Sequence, residues 1–348
     1  KATEEEETTI RYANIGLFNS PEDKQERNRK ISLDTNTKYF LKINIGKREL
    51  WDSELGEGIG FPIEAAKKLA PDQDEYWFDV IITSHEEDFE IDKQHEHHKI
   101  FLPKEGSSWV CNCNPREKVH RCTPKDQIPY LIVPIKTQGK KQNATLRVGF
   151  YFKNNLLQCR LLTAQVGVDV QDGNLGYTST TDFTLSNDFF ASNTVFSPRK
   201  INIFTNSNGD GNKRVVLVSK DDDSTDEVIY HNILNESRVS DLLLLARAAL
   251  HNTHRRPIFA LGGKFHGQWK QLYDKDHKKS KEELISDLKN LASVGQDIWM
   301  ALFNGINPHN LITLRKRLQK GQAILQMGHA DGAKSEPPYY YPWSLIYD

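Results

Sequence analysis

The sequence predicts an α+β chain, with an antiparallel β-sandwich over residues 1–197 and a mixed α/β portion over residues 198–348. Three observations predict it. Before residue 190, several runs alternate apolar and polar side chains, the period of two that a half-buried sheet requires. Helical spacing is nearly absent from that stretch. Beyond it the apolar residues move to helical spacing, and one helix start carries a serine–glutamate cap. Strands crowded together without intervening helices pack as antiparallel sheets, because parallel strands need crossover connections.

The first clear strand places Tyr39, Leu41, Ile43 and Ile45 on one face and Phe40, Lys42, Asn44 and Gly46 on the other. Residues 63–69 suit one short helix. Residues 76–83 and 130–135 are rich in β-branched and aromatic side chains. Leu146, Val148, Phe150 and Phe152 then alternate with Arg147, Gly149, Tyr151 and Lys153. Ser197-Pro198 reads as the linker. Residues 201–205 and 214–220 flank Asn208-Gly209, a pair that accepts the positive φ angles of a tight hairpin turn. Asp221, Asp222 and Asp223 mark a surface loop.

Helices follow. Val239, Leu242, Leu243, Ala246 and Leu250 share a face, with Asp241 in the first turn. Ser280 and Glu283 form a capping box ahead of Leu284, Leu288, Leu291, Ile298 and Leu302, and Gly305 supplies a stop. Asn307-Pro308 caps the next helix, which runs through Leu311, Leu314 and Leu318 and ends at Gly321. Residues 322–326 read as a short buried strand.

Lys and Arg number 46 against 47 Asp and Glu, and this balance speaks against a nucleic-acid-binding chain, which carries a basic excess. No run of about 18 apolar residues is present to span a membrane. No leader-like segment is visible at the start, and the four cysteines are sparse usage suited to a reducing compartment. Asn143-Ala144-Thr145 therefore reads as a chance match to the glycosylation pattern, and a cytoplasmic protein is expected.

The densest chemistry is Cys111, Cys113, His120 and Cys122, three thiols and an imidazole, the donor count of a structural zinc site. The spacing is not the usual one. Metal knuckles favour two residues between cysteines, and Cys-x-Cys on a strand points its thiols to opposite faces. Zinc would need a loop here; free thiols or a single disulfide are the alternatives. His95 and His97 would share a strand face, but Glu96, Lys99 and the polar surroundings read as a solvated loop. Cys159 lies in a strand-like run, sharing a face with Leu157 and Leu161, and is expected to be a small buried hydrophobe.

A cysteine protease needs a thiol and a histidine base within hydrogen-bond reach. All four cysteines precede residue 160, and the α/β portion has histidines but no cysteine, so no catalytic residue is assigned. Phosphate-cradling glycine loops, a nucleophile elbow and a His-Glu-x-x-His helix are all absent. The stretch from His254 to Lys270, with Phe259, Phe265 and Trp269, reads as a loop between helices rather than a nucleic-acid surface.

The last residues, Tyr341-Pro342-Trp343-Ser344-Leu345-Ile346-Tyr347-Asp348, resemble the Pro-Trp-x-Leu-Leu-Tyr-Asp segment of CHAT proteins, bacterial caspase-like cysteine proteases. In that family a helical hairpin and a short strand precede the segment; here the helices from Ser280 and Pro308 and then residues 322–326 follow that order. The 201–220 hairpin and the helix around Arg247 are similar to the family's lead-in. Residues 146–159 resemble a strand block of a β-rich domain found ahead of CHAT in bacterial defence systems. The resemblance covers about half the chain.

It implies a caspase-like α/β portion, incomplete at its C-terminus, in a protease whose histidine and cysteine both lie downstream of the Pro-Trp segment. No position up to Asp348 matches either; His329 precedes the segment. The implied role is the regulatory and scaffolding part of an enzyme that cleaves a partner protein once autoinhibition is relieved. The continuation, or a bound C-terminal fragment, would complete the sheet. The alternative is a non-catalytic protein-interaction module, with zinc as its stabilising cofactor. Neither reading involves nucleic acid or a membrane.

Overall fold

The computed structural model describes residues 10–84, 87–110, 127–171, 174–185, 200–207, 212–220, 227–259, 265–271, 278–319 and 325–330. The chain divides into two compact units. One comprises Lys1–Asn202, Val218–Glu227 and Ala323–His329; the other comprises Ile203–Leu217, Val228–Gln322 and Ala330–Asp348.

Up to residue 185 the described residues form nine strands and one helix: β1 (Tyr12–Phe18), β2 (Lys38–Gly46), α1 (Ile63–Leu69), β3 (Tyr76–Ser84), β4 (Phe89–Ile91), β5 (His97–Leu102), β6 (Leu131–Thr137), β7 (Asn143–Phe152), β8 (Asn155–Gln165) and β9 (Tyr177–Thr184). A short 3-10 turn, Lys93–His95, joins β4 to β5. The strands form two sheets, ordered β1-β2-β6-β4 and β5-β3-β7-β8-β9. Every pairing in them is antiparallel.

One core joins the two sheets. The apolar face of β2, Tyr39 to Ile45 in alternate positions, meets Phe78, Val80 and Ile82 of β3, alternate residues of β7, and Ala65, Ala66 and Leu69 of α1. This is the sandwich-like arrangement that alternation predicts. Phe61 sits edge-to-face on Phe78 and Phe150, with centroids 5.2 and 5.6 Å away, the geometry that ring quadrupoles favour.

The alternation understates the burial. Lys42 and Asn44 on the reverse of β2, and Arg147 and Tyr151 on the reverse of β7, are also buried. The face shared by Leu157 and Cys159 needs correction as well. The β7–β8 register shifts between Phe150 and Tyr151, leaving Leu157 as an extra residue in β8. A bulge of this kind changes which side chains face inward. Leu157, Leu162 and Ala164 join the core, whereas Cys159 pairs with Gly149 and Leu161 with Arg147 on the opposite face.

Beyond residue 200 come β10 (Ile201–Ser207), β11 (Asn212–Lys220) and β12 (Glu227–Asn235), then α2 (Glu236–His254), β13 (Arg255–Phe259), β14 (Phe265–Gln271), α3 (Lys281–Leu302), α4 (Pro308–Gln319) and β15 (Leu325–Ala330). The sheet order is β12-β11-β10-β15. Strands thus alternate with helices, and the chain as a whole is mixed α+β. The expected loop after His254 is instead the antiparallel pair β13–β14, with a register shift between Pro257 and Phe259. The final strand covers Leu325–Ala330 among the described residues, and residues 322–324 of the expected strand lie outside them.

Two polar devices fix helix ends in the second unit. At α3 the capping box is present in full: Glu283 N–H donates to Ser280 Oγ at 3.1 Å, and Ser280 N–H donates to Glu283 Oε2 at 2.9 Å. At its other end Tyr230 Oη donates to the Asn304 carbonyl at 2.6 Å, and Asn232 donates to the Ala301 carbonyl at 3.2 Å. The Ala301 carbonyl is one that the helix terminus leaves without an internal donor.

Candidate functional sites

Cys111, Cys113, His120 and Cys122 lie outside the described residues. On either side of that segment, Val110 and Ile128 exchange two backbone hydrogen bonds, each 2.8 Å. Among the described residues no group of three or more His, Cys, Asp or Glu side chains is placed to hold a metal ion.

The histidine group is not a solvated loop. His95 closes the 3-10 turn, while His97 and His98 open β5. His97 is buried and its Nε2 lies 2.9 Å from Asp79 Oδ1 on β3. Lys99 Nζ approaches the same oxygen at 3.6 Å. His98 pairs across with Val80, a core residue, so it points to the opposite side from His97. Its ring stacks on His95, centroids 5.6 Å apart and planes 21° apart. His98 Nε2 and His95 Nδ1 are buried without a hydrogen-bond partner among the described residues. Burial, followed by the charges of His95 and His97, pushes the His98 imidazole down to about 4, against a weaker opposing hydrogen bond to the His95 backbone. His98 is held neutral, and a proton arriving there would find no acceptor.

Cys159 is buried on the outer face of its sheet. Burial raises its thiol well above the ordinary range, and the neighbouring Asp182 carboxylate raises it further. A reactive cysteine needs the reverse, a stabilised thiolate. The backbone register sets His97, Ile81, Gly149, Cys159 and Phe183 in one row across the sheet. Three strand spacings therefore separate His97 from Cys159, about 14 Å at roughly 4.8 Å each. No dyad forms between them. Asp182 is instead engaged by Arg147, which donates from Nε at 2.9 Å and Nη2 at 2.8 Å.

Sequence reasoning missed two further clusters. Arg160 is 1% exposed, donates to the Ala13 carbonyl and to Asp52 Oδ1 at 3.0 Å, and pairs with Glu54 Oε2 at 3.2 Å. Ser53 and Ser179 complete this network, their hydroxyls 2.8 Å apart. It ties residues 52–54 to β1 and β9. On the other sheet, Lys42 Nζ lies 4.3 Å from the centre of the Phe18 ring, and Trp51 packs edge-on against both Phe18 and Tyr130. Aromatic rings around an ammonium favour it through their quadrupoles, but this enclosure is filled by the protein's own lysine. Long-range partners such as Asp52 and Arg160 leave no local pattern to read.

No family model, no curated protein and no solved structure matches the chain.

Proposed function

We propose that this chain is the regulatory and scaffolding part of a CHAT-type, caspase-like cysteine protease that acts on a partner protein in the cytoplasm of a bacterial defence system. The order of elements at the end of the chain carries the reading. Two consecutive helices, α3 and α4, lead to strand β15 and then to Tyr341-Pro342-Trp343, the order expected ahead of a caspase-like catalytic segment. The state of Cys159, buried and with its thiol raised, fits a part that performs no chemistry itself. Reading the gene beyond the codon for Asp348 tests the proposal. A histidine followed by a cysteine in the continuation is the expected result; a continuation lacking either one ends it.

One observation favours the second reading, a zinc-stabilised interaction module. Val110 and Ile128, the described residues flanking the segment that carries Cys111, Cys113, His120 and Cys122, exchange paired hydrogen bonds, and that segment has the donor count of a structural zinc site. Under that reading purified protein contains about one zinc per chain, the stoichiometry of a four-donor site, and Cys111→Ser lowers it sharply. Metal-free native protein excludes it.

A further inference from the structure

The start of β5 and its end are held very differently. Strand β5 is the edge of its sheet and is paired with β3 along its length. At its C-terminal half a second clamp is present: Phe101 and Trp109 exchange two backbone hydrogen bonds of 2.9 Å, and the rings of Trp77, Phe101 and Trp109 pack on one another with centroids 4.7–5.5 Å apart. At its N-terminal half the ties include the β3 pairing, a hydrogen bond from Ile82 N–H to the Glu96 carbonyl at 2.8 Å, and the contacts of the histidines.

We propose that the 3-10 turn and the residue after it form an acid-sensitive latch, in which protonation of the stacked His95–His98 pair detaches residues 92–96, while the His97–Asp79 pair and the Phe101–Trp109 clamp hold β5 itself. Geometry supplies the trigger. The two rings face each other at 5.6 Å, and each has a buried nitrogen with no acceptor among the described residues. A proton on His98 is therefore solvated only if the segment opens, and a second on His95 adds like-charge repulsion across the stack.

The other charged groups around the pair are accounted for. Asp79, facing from β3, is taken up by His97 and Lys99. Asp92 accepts a hydrogen bond from Gln94 beside the turn. Protonating His97 tightens its pair with Asp79, so His97 resists opening and the detached segment ends at Glu96. The depressed imidazole gives the sign and the size. The closed form takes up its proton only near pH 4 and the open form near 6.5, so opening becomes easier as the pH falls through that window and is independent of His98 above it.

Amide hydrogen exchange on the whole chain, read by mass spectrometry and corrected for intrinsic rates, tests this. Between pH 7.5 and pH 5.0, peptides covering residues 92–96 should exchange about 30-fold faster, the factor set by the two titration points. Peptides from Ile100 to Leu102 and from β7 and β8 should be unchanged. His98→Phe, which keeps a ring in the buried position, should abolish the response. Equal protection at both pH values, acceleration spread evenly over the unit, or a response that survives in His98→Phe would each overturn the latch. If that variant does not fold, the imidazole titration of the native chain by NMR decides: a His98 midpoint near 4 supports the proposal, and one near 6.5 refutes it.

Discussion

At Gly149 a single methyl group decides whether the outer face of the five-stranded sheet can close. A Cβ there would stand 2.7 Å from the Tyr151 ring, which lies across the glycine. The tyrosine is fully buried with its hydroxyl pushed far up by desolvation, so it has little room to retreat. Gly149→Ala should cost about 1–3 kcal/mol, the usual penalty for overpacking, measurable as a lower urea midpoint with an unchanged slope. An unchanged midpoint would mean that the ring swings aside freely.

The same row shows what the sequence discloses at this scale. That Cys159 is buried and unreactive is legible from its apolar neighbours. Which way it points is not, because one extra residue at Leu157 turns the strand over and nothing in the local pattern announces a bulge. The histidines mislead for a related reason. Glu96 and Lys99 make the stretch look solvated, whereas Asp79, a residue far away in sequence, turns His97 into a buried paired strand residue.

At the scale of elements, the helix signals in the sequence proved the most informative. The Ser280–Glu283 box sits where the pattern puts it, since capping is a local matter of one side chain and one N–H. Less visible is the residue just before it. Lys279 is fully buried and donates to the Asn252 and Thr253 carbonyls at the end of α2 and, at 2.7 Å, to Asp287 of α3. It thus satisfies one helix's last carbonyls while pairing with the next helix, a placement the helix dipole favours for a cation.

Removing one partner of a buried pair strands the other charge. Lys279→Met should therefore destabilise the second unit by about 3–5 kcal/mol. The double variant Lys279→Met, Asp287→Leu should recover much of that loss. Thermal unfolding of the two variants checks both statements, and a single variant as stable as the native chain would contradict them. The strands are legible in a different way. β2 and β7 carry clean alternation, but β13 and β14 do not, and their aromatic–basic sequence reads as loop until the pairing of Arg255 with Gln271 is seen.

For the whole molecule, the mixed α+β class and the change of character near residue 200 are visible in the residues themselves. The division into units is less so, because Val218–Glu227 and Ala323–His329 group with the first unit although the chain order puts them in the second portion. Among the described residues no helix is long and apolar enough to cross a membrane. The histidine latch belongs to the first unit and works whether or not the chain leads into a protease. The functional account depends on something else: that the chemistry lies beyond β15 and the Pro-Trp segment, and that none of the four cysteines before residue 160 supplies it.

The most direct test is to treat the product of the complete gene with a peptide-based electrophile that captures catalytic cysteines and to map the labelled residue by mass spectrometry. The account predicts a label on a cysteine encoded after Asp348, with Cys159 unlabelled. A label on Cys111, Cys113, Cys122 or Cys159, or a gene that encodes no cysteine after Asp348, would contradict it.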